Sequence, residues 1–214
     1  MFKNRQLAGQ LLTQRLPHLK SEQAIVLGLT RGGVVTALEV ARGLEIPLEP
    51  LVIKKIGAPQ NPELAIGAVG PNGITIWNED LCLKLNVDQK YKDEALKVKA
   101  KERDEKENFF RQGRPARDLN GKIVILVDDG IATGTTVEVA INWIKTQTPD
   151  KIILGVPIAP TDVIAKLKTR VDELICLKVE PEFRAVGQFY EEFNQVSDEN
   201  TLELLKRAKD NLTL

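Results

Sequence analysis

The sequence is poor in the residues on which several common catalytic sites depend. It has one histidine, His18, and two cysteines, Cys82 and Cys176, among 214 residues. This set leaves no histidine-based catalytic triad and no ordinary zinc site, and His18 is a poor candidate for a general base because it precedes the expected core. A low cysteine content is typical of proteins in a reducing compartment, so we expect a cytoplasmic location.

An excess of charge of one sign is also missing. The 30 basic and 30 acidic residues balance to zero, which argues against broad binding to nucleic acid or to an anionic membrane. No apolar run reaches the roughly 18 residues that a membrane-spanning helix needs, and the first residues lack the apolar stretch of a secretory signal. With 43% hydrophobic and 28% charged residues, the composition is that of a globular protein, and the length predicts one domain.

Apolar runs that suit buried strands alternate with helical patterns along the chain. Strands are expected over 24–29, 51–55, 123–127, 152–156 and 174–177. Helices are expected over 5–16, 34–41, 88–107, 135–145, 161–168 and 197–212, the helix at 88–107 being a solvated one with opposite charges four residues apart. This alternation predicts an α/β fold with a largely parallel sheet.

Proline and glycine mark the expected interruptions. Pro157 and Pro160 should end the strand that begins at 152. Residues 56–65 contain two prolines and a glycine and are predicted to form a loop. The segments 66–69 and 74–77 flank a turn of the sequence Gly-Pro-Asn-Gly and predict a hairpin.

One segment combines an acidic pair with features that favour a phosphate. The apolar run Ile123–Val127 ends in Asp128 and Asp129, and a loop at 130–134 leads to an expected helix start at Thr135. Ligands of open α/β sheets bind at the carboxyl edge, and the amides and dipole of a helix N-terminus attract phosphate. Because carboxylates repel a bare phosphate, we expect them to hold sugar hydroxyls or a ligand-bound Mg²⁺. We also expect Asp129 to lie at an exposed strand end and to matter little for stability.

Other phosphate motifs do not match this segment. Gly134 is followed by Thr135 rather than by the lysine of a Walker A loop, and neither glycine cluster has the spacing of a dinucleotide fingerprint.

The residues Asp128–Thr136 resemble the signature of the type I phosphoribosyltransferases, in which an apolar strand, two acidic residues and a loop ending in Thr-Gly-x-Thr follow one another. One departure is Gly130, where that family usually has an apolar residue. The run Leu29–Gly33 is similar to the family's pyrophosphate loop. An Arg-x-Gly-Arg run at 111–114 and the loop Lys55–Glu63 look most like a poorly characterised bacterial branch of predicted phosphoribosyltransferases.

The resemblance implies a Rossmann-like, open, mostly parallel five-stranded sheet flanked by helices, with a small hood. Within a single domain over 1–214, it implies a core over about 20–178, a hood over about 179–195 that includes the N-terminal segment, and a C-terminal helix over 197–212. A homodimer is left open.

The resemblance also implies a reaction: transfer of the 5-phosphoribosyl group from 5-phosphoribosyl 1-pyrophosphate (PRPP) to a nitrogenous base, with Mg²⁺ as cofactor and pyrophosphate as leaving group. Asp128 and Asp129 would be catalytic and would hold the metal through water and PRPP. The 5′-phosphate would be bound by Ile131, Ala132, Thr133, Gly134, Thr135 and Thr136. The pyrophosphate would be bound by Thr30, Arg31, Gly32, Gly33 and one or both of Lys54 and Lys55. The base would lie under the hood residues Phe183, Val186, Phe189 and Tyr190.

Several alternatives stay open at this point. Ala132 stands where hypoxanthine–guanine enzymes of the family carry an aspartate, which argues against those two bases without removing activity. The hood aromatics would instead pack on the C-terminal helix if they have only a structural role, and the loop at 56–65 would be either a closing flap or a fixed turn. A PRPP-binding regulatory protein without enzymatic activity, or a synthase-like or pyrophosphate-hydrolysing enzyme, is the alternative function.

Overall fold

A five-stranded parallel sheet forms the centre of the protein, in a computed structural model that describes residues 1–16 and 23–210. Its strands are β1 (Ala24–Leu29), β2 (Leu48–Leu51), β6 (Ile123–Val127), β7 (Lys151–Pro160) and β8 (Glu173–Glu180). They are ordered β2-β1-β6-β7-β8, and every neighbouring pair is parallel. The chain reverses its direction of winding between β1 and β6, and the carboxyl ends at such a switch point are where ligands bind.

Seven α-helices accompany the strands within the described residues. They are α1 (Arg5–Thr13), α2 (Gly32–Leu44), α3 (Glu79–Lys84), α4 (Gln89–Arg111), α5 (Thr135–Thr146), α6 (Thr161–Lys168) and α7 (Asp198–Asp210). Buried side chains of α1, α2 and α7 pack on one face of the sheet, and those of α5 and α6 pack on the other. The predicted α/β fold with a five-stranded, mostly parallel sheet flanked by helices is therefore confirmed. None of these helices is long and apolar enough to cross a membrane.

Strand β7 continues past Pro157, the first of the two prolines expected to end it, and ends at Pro160, the second. Its neighbour β6 pairs only as far as Gly155, whereas β8 continues to pair with β7 up to Pro160. Beyond Gly155 the strand therefore needs donors on one side only. The backbone nitrogen of Pro157 carries no hydrogen and can face the unpaired side, which is how proline is tolerated in sheets.

The chain leaves the parallel sheet within the single strand that was predicted over 51–55. Strand β2 ends at Leu51, and β3 (Lys54–Ala58) begins a separate antiparallel sheet with β4 (Asn61–Val69) and β5 (Thr75–Trp77). The apolar character of residues 51–53 is continuous because Val52 and Ile53 pack on opposite faces of the parallel sheet. Nothing in the apolar pattern therefore marks the change of sheet.

The predicted loop over 56–65 is wrong: these residues form the hairpin of β3 and β4. Ladder pairing runs from Lys54 opposite Val69 to Ala58 opposite Asn61, with register shifts around Gly57. The apolar side chains of this hairpin pack with Cys82 of α3 and with the apolar seam of α4, which includes Tyr91. The predicted hairpin of 66–69 with 74–77 is confirmed, since β4 and β5 pair antiparallel.

Candidate active site

A cleft of about 430 Å³ opens at the carboxyl ends of β1 and β6. Its lining includes these residues singled out by sequence analysis: Thr30, Arg31, Gly32, Lys55, Asp128, Asp129, Ile131, Ala132, Thr133, Gly134, Thr136 and Val186. Phe193, Ile53, Leu29 and Gly130 complete the lining. The acidic pair, the hydroxyl-rich loop and the glycine loop thus share one concave surface. His18 lies outside the described residues.

The hydroxyl-rich loop after β6 leads directly into the N-terminus of α5. The N–H of Ile131 donates to the carbonyl of Ile158 at 2.9 Å, which ties the loop to β7. Gly134, with φ of 81°, precedes the helix, a conformation that glycine adopts without a steric penalty. The first amides of a helix have no acceptor within it, so the α5 N-terminus offers donors and a positive dipole end at the cleft.

One acidic side chain in the first turn of α5 would repel an anion if it were not neutralised. Glu138 is buried, and its carboxylate accepts hydrogen bonds from Lys166 Nζ at 2.7 Å and from Arg170 at 3.3 Å. These two cations come from α6 and the residues after it. They compensate the Glu138 charge, so the helix N-terminus keeps its positive potential.

The two aspartates at the end of β6 have different surroundings. One Asp128 carboxylate oxygen accepts a hydrogen bond from the Asp129 amide at 2.9 Å. Burial raises the pKa of Asp128 well above its usual range, and the neighbouring Asp129 charge adds to that rise, whereas Lys55 opposes it. Asp128 therefore binds a proton more readily than an ordinary aspartate.

Asp129 is paired with a cation from the N-terminal helix. Its Oδ2 lies 2.6 Å from Nε of Arg5, and the two side chains are 14% and 10% exposed. The expectation that Asp129 sits at an exposed strand end is therefore wrong. The reason is that α1 and the segment around residue 190 close over this side of the strand end, where the Tyr190 hydroxyl donates to the Asp129 carbonyl at 2.6 Å.

The two glycines after Arg31 allow the loop that follows β1 to lie against the acidic pair. A Cβ on Gly32 would overlap the carboxylate of Asp129, and a Cβ on Gly33 would lie 2.7 Å from Oδ1 of Asp128. The peptide bond between Thr30 and Arg31 is cis. Any larger residue at these two positions would separate the loop from the carboxylates.

The basic residues near the cleft differ in their orientation. Lys55 lines the cleft, whereas Lys54 Nζ lies 3.8 Å from Glu102 of α4. The Arg31 side chain is 43% exposed and lies 3.8 Å from Asp198, which also pairs with Lys106. Lys55 and Arg31 are therefore the cations best placed to meet an anion in the cleft.

The aromatic residues after β8 pack mainly on the N-terminal segment rather than on the C-terminal helix. Phe189 and Tyr190 are buried in a cluster with Ala8 and Ile158, and Phe2, Phe183, Val186 and Phe193 pack against it. Phe2 forms a bridge with Tyr190. Of the four predicted hood residues, only Val186 lines the cleft. Phe183, Phe189 and Tyr190 pack in the cluster behind it. The aromatic residue in the lining is Phe193.

Val186 also explains why position 130 is a glycine and not the apolar residue that is usual in the type I phosphoribosyltransferases. A Cβ on Gly130 would lie 2.5 Å from Cγ1 of Val186 and 2.8 Å from Cγ2 of Ile158. The space of an apolar side chain at 130 is occupied by Val186. This residue is therefore small because the segment after β8 approaches the strand end closely.

Comparisons with known proteins establish the family. The sequence model of the phosphoribosyl transferase domain matches residues 2–193, so the chain belongs to this family. It is 41% identical over 208 residues, 97% of this chain, to a Mycobacterium tuberculosis H37Rv protein named "Putative phosphoribosyl transferase Rv0571c"; the match covers 47% of that protein, so the chain spans about half the length of this curated relative.

A solved structure is similar over nearly the whole chain. The crystal structure of TT1426 from Thermus thermophilus superposes with a TM-score of 0.79 at 37% identity, covering 96% of this chain and 98% of the Thermus chain. The structure of AQ2163 from Aquifex aeolicus, at 17% identity and a TM-score of 0.50 over 82% of this chain and 73% of that chain, shares the fold.

Proposed function

We propose that this domain transfers the 5-phosphoribosyl group from PRPP to a nitrogenous base and releases pyrophosphate. The observation that carries the proposal is the shared cleft, in which a helix N-terminus, two carboxylates and a basic loop lie within one ligand-sized space. These three features match the three parts of PRPP. The phosphate needs donors, the ribose hydroxyls need acceptors, and the pyrophosphate needs cations.

Each part of PRPP then has its own group of residues. Thr133, Thr136 and the first amides of α5 bind the 5′-phosphate. Asp128 and Asp129 bind the ribose hydroxyls through their carboxyl oxygens. Arg31 and Lys55 bind the pyrophosphate; Lys55 is preferred to Lys54 because Lys54 is directed to Glu102.

The acidic pair fits a Mg²⁺ ion that is bound mostly by the ligand. Mg²⁺ usually takes one or two protein carboxylates and completes its octahedron with water and substrate phosphates. The described residues contain no group of three or more histidine, cysteine, aspartate or glutamate side chains placed to hold a metal, which is consistent with this mode of binding. When bound, the ion would neutralise the leaving pyrophosphate. Asp128 and Asp129 would hold it through water and PRPP.

The base lies against Val186 and Phe193 in this proposal. Phe193 is the aromatic residue of the cleft, and its ring is held by contacts with Tyr190, at 5.0 Å between ring centres, and with Arg5. A rigid aromatic face favours stacking of a flat heterocycle. Ala132, which is exposed at the cleft, offers no proton acceptor to the base.

Release of pyrophosphate tests the proposal. PRPP and Mg²⁺ are incubated with adenine, guanine, hypoxanthine, xanthine, uracil or orotate in turn, and pyrophosphate is measured with and without protein. Base-dependent release supports the transferase. Tight PRPP binding without release under every condition would instead identify a PRPP-binding regulatory protein, and release without any base would identify a hydrolase.

A further inference from the structure

Arg5 connects three parts of the protein that meet beside the cleft. Its Nε donates to Oδ2 of Asp129 at 2.6 Å, and a terminal nitrogen donates to the carbonyl of Asn194 at 2.8 Å. The guanidinium also lies 3.7 Å from the centre of the Phe193 ring. One buried side chain of α1 therefore contacts the acidic pair, the backbone after β8 and the aromatic surface of the cleft.

The environment of Asp129 leaves its paired oxygen little freedom. The loop after β1 lies directly against this oxygen, since a Cβ on Gly32 would overlap Oδ2. The Tyr190 hydroxyl fixes the Asp129 carbonyl from the other side. The carboxylate is thus held in one orientation, in which Oδ2 accepts the hydrogen bond from Arg5.

The charge balance at the acidic pair depends on the same contact. Two adjacent carboxylates at the end of one strand would attract divalent cations and repel a polyanion. A guanidinium at hydrogen-bond distance from one of them cancels one negative charge, and it does so in a poorly hydrated setting where charges interact strongly.

We propose that Arg5 is a positioning residue, which neutralises and orients Asp129 so that the cleft accepts an anionic sugar phosphate and binds a free divalent cation poorly. The identity of that sugar phosphate as PRPP rests on the proposed function, but the effect on a free cation does not. Arg5 also links Phe193 to the acidic pair, so the surface proposed for the base and the groups proposed for the ribose are held by one side chain.

The substitution Arg5→Met separates this role from a purely structural one. Methionine is apolar and of similar length, so it fills much of the same space without the charge. We expect the variant to bind Mn²⁺ in the absence of PRPP at least about tenfold more tightly than the unsubstituted protein, measured by electron paramagnetic resonance. We also expect PRPP affinity, measured by calorimetry, to fall about tenfold at low Mg²⁺ and to recover in part at high Mg²⁺.

A matched control is Arg42→Met, which removes a cation from α2 whose side chain is 40% exposed and lies 3.8 Å from Glu39. This variant should leave both affinities unchanged. If Arg5→Met also leaves Mn²⁺ affinity unchanged, or weakens it, Arg5 does not set the charge of the acidic pair and the proposal is overturned.

Two further variants keep the test decisive if Arg5→Met folds poorly. Arg5→Lys retains the charge and should keep weak Mn²⁺ binding. The double variant Arg5→Met with Asp129→Asn removes both charges, and it should fold and lose the gain in Mn²⁺ affinity. Tight Mn²⁺ binding by either variant would contradict the proposal. If the unsubstituted protein binds no PRPP, the proposed function fails, whereas the Mn²⁺ comparison still decides the role of Arg5.

Discussion

The two adjacent aspartates should respond in opposite ways to replacement by asparagine. Asp129 is paired with Arg5 at 2.6 Å, and both side chains are mostly buried. Removing one partner of a buried ion pair costs about 3–5 kcal/mol because the other charge is left uncompensated. Since both side chains keep some contact with solvent, we expect Asp129→Asn to lower the free energy of unfolding by about 2–3 kcal/mol. At roughly 2–4 °C per kcal/mol for a chain of this size, Tm falls by about 4–12 °C.

Asp128→Asn should instead raise Tm at neutral pH. Burial and the Asp129 charge raise the pKa of Asp128 in the folded protein. The folded state then holds a proton that the unfolded state releases, so this group's contribution to stability is present below the unfolded pKa and is lost as pH rises through the folded pKa. Asparagine cannot ionise, so the variant does not lose this contribution to stability as pH rises. It also keeps an oxygen that can accept the Asp129 amide, which donates at 2.9 Å to Asp128.

Thermal unfolding followed by circular dichroism at several pH values, with EDTA present, distinguishes the two variants. The gain of Asp128→Asn should grow as pH rises above 3.8, the ordinary aspartate value, and it should disappear as pH falls below that value. Both variants should lose about 10²-fold or more in turnover under the proposed function. If Asp128→Asn is as destabilised as Asp129→Asn at pH 8, the assignment of distinct environments to the two carboxylates is refuted.

The remaining predictions concern the pyrophosphate, the base and the hairpin. Lys55→Ala should weaken PRPP binding about tenfold in calorimetry. Lys54→Ala should change PRPP affinity by less than about threefold, because the Lys54 side chain is directed to Glu102. Equal losses in the two variants would refute the assignment of Lys55 to the pyrophosphate. Phe193→Ala should raise the KM for the base with little change in the KM for PRPP, and the reverse pattern would remove the base from this surface. The exposed turn between β3 and β4 should gain hydrogen-exchange protection with PRPP and Mg²⁺ if it closes over the cleft, and unchanged exchange would make it a fixed scaffold.

Four strands of the central sheet and the loops of the cleft could be predicted from the sequence because their signals are local. Ile123–Val127 and Ala24–Leu29 are continuous apolar runs that end in residues unsuited to a strand, and both strands have the predicted bounds. Parallel strands bring their carboxyl ends to one edge. Asp128 and Arg31 therefore come to the same cleft although nearly a hundred residues separate them.

Other features depend on contacts that leave no local signal. The change of sheet after Leu51 is hidden in an apolar run, and the extension of β7 past Pro157 depends on where β6 ends. Arg5 has the pattern of an ordinary polar position in an amphipathic helix, and only the tertiary structure brings it to Asp129. Phe193 lies three residues after Tyr190, the last of the predicted hood residues, but no sequence pattern there distinguishes the ring on the cleft from the rings behind it.

Thermal unfolding with PRPP and Mg²⁺, alone and together, tests the central claim most directly. A ligand that binds the native state and not the unfolded chain raises Tm, and the shift grows with the logarithm of the ligand concentration once that exceeds Kd. We expect the shift with PRPP plus Mg²⁺ to exceed the sum of the shifts with either alone, because the acidic pair and the phosphate-binding helix hold the complex together. No shift at saturating concentrations of both would contradict the assignment of this cleft to a phosphoribosyl donor.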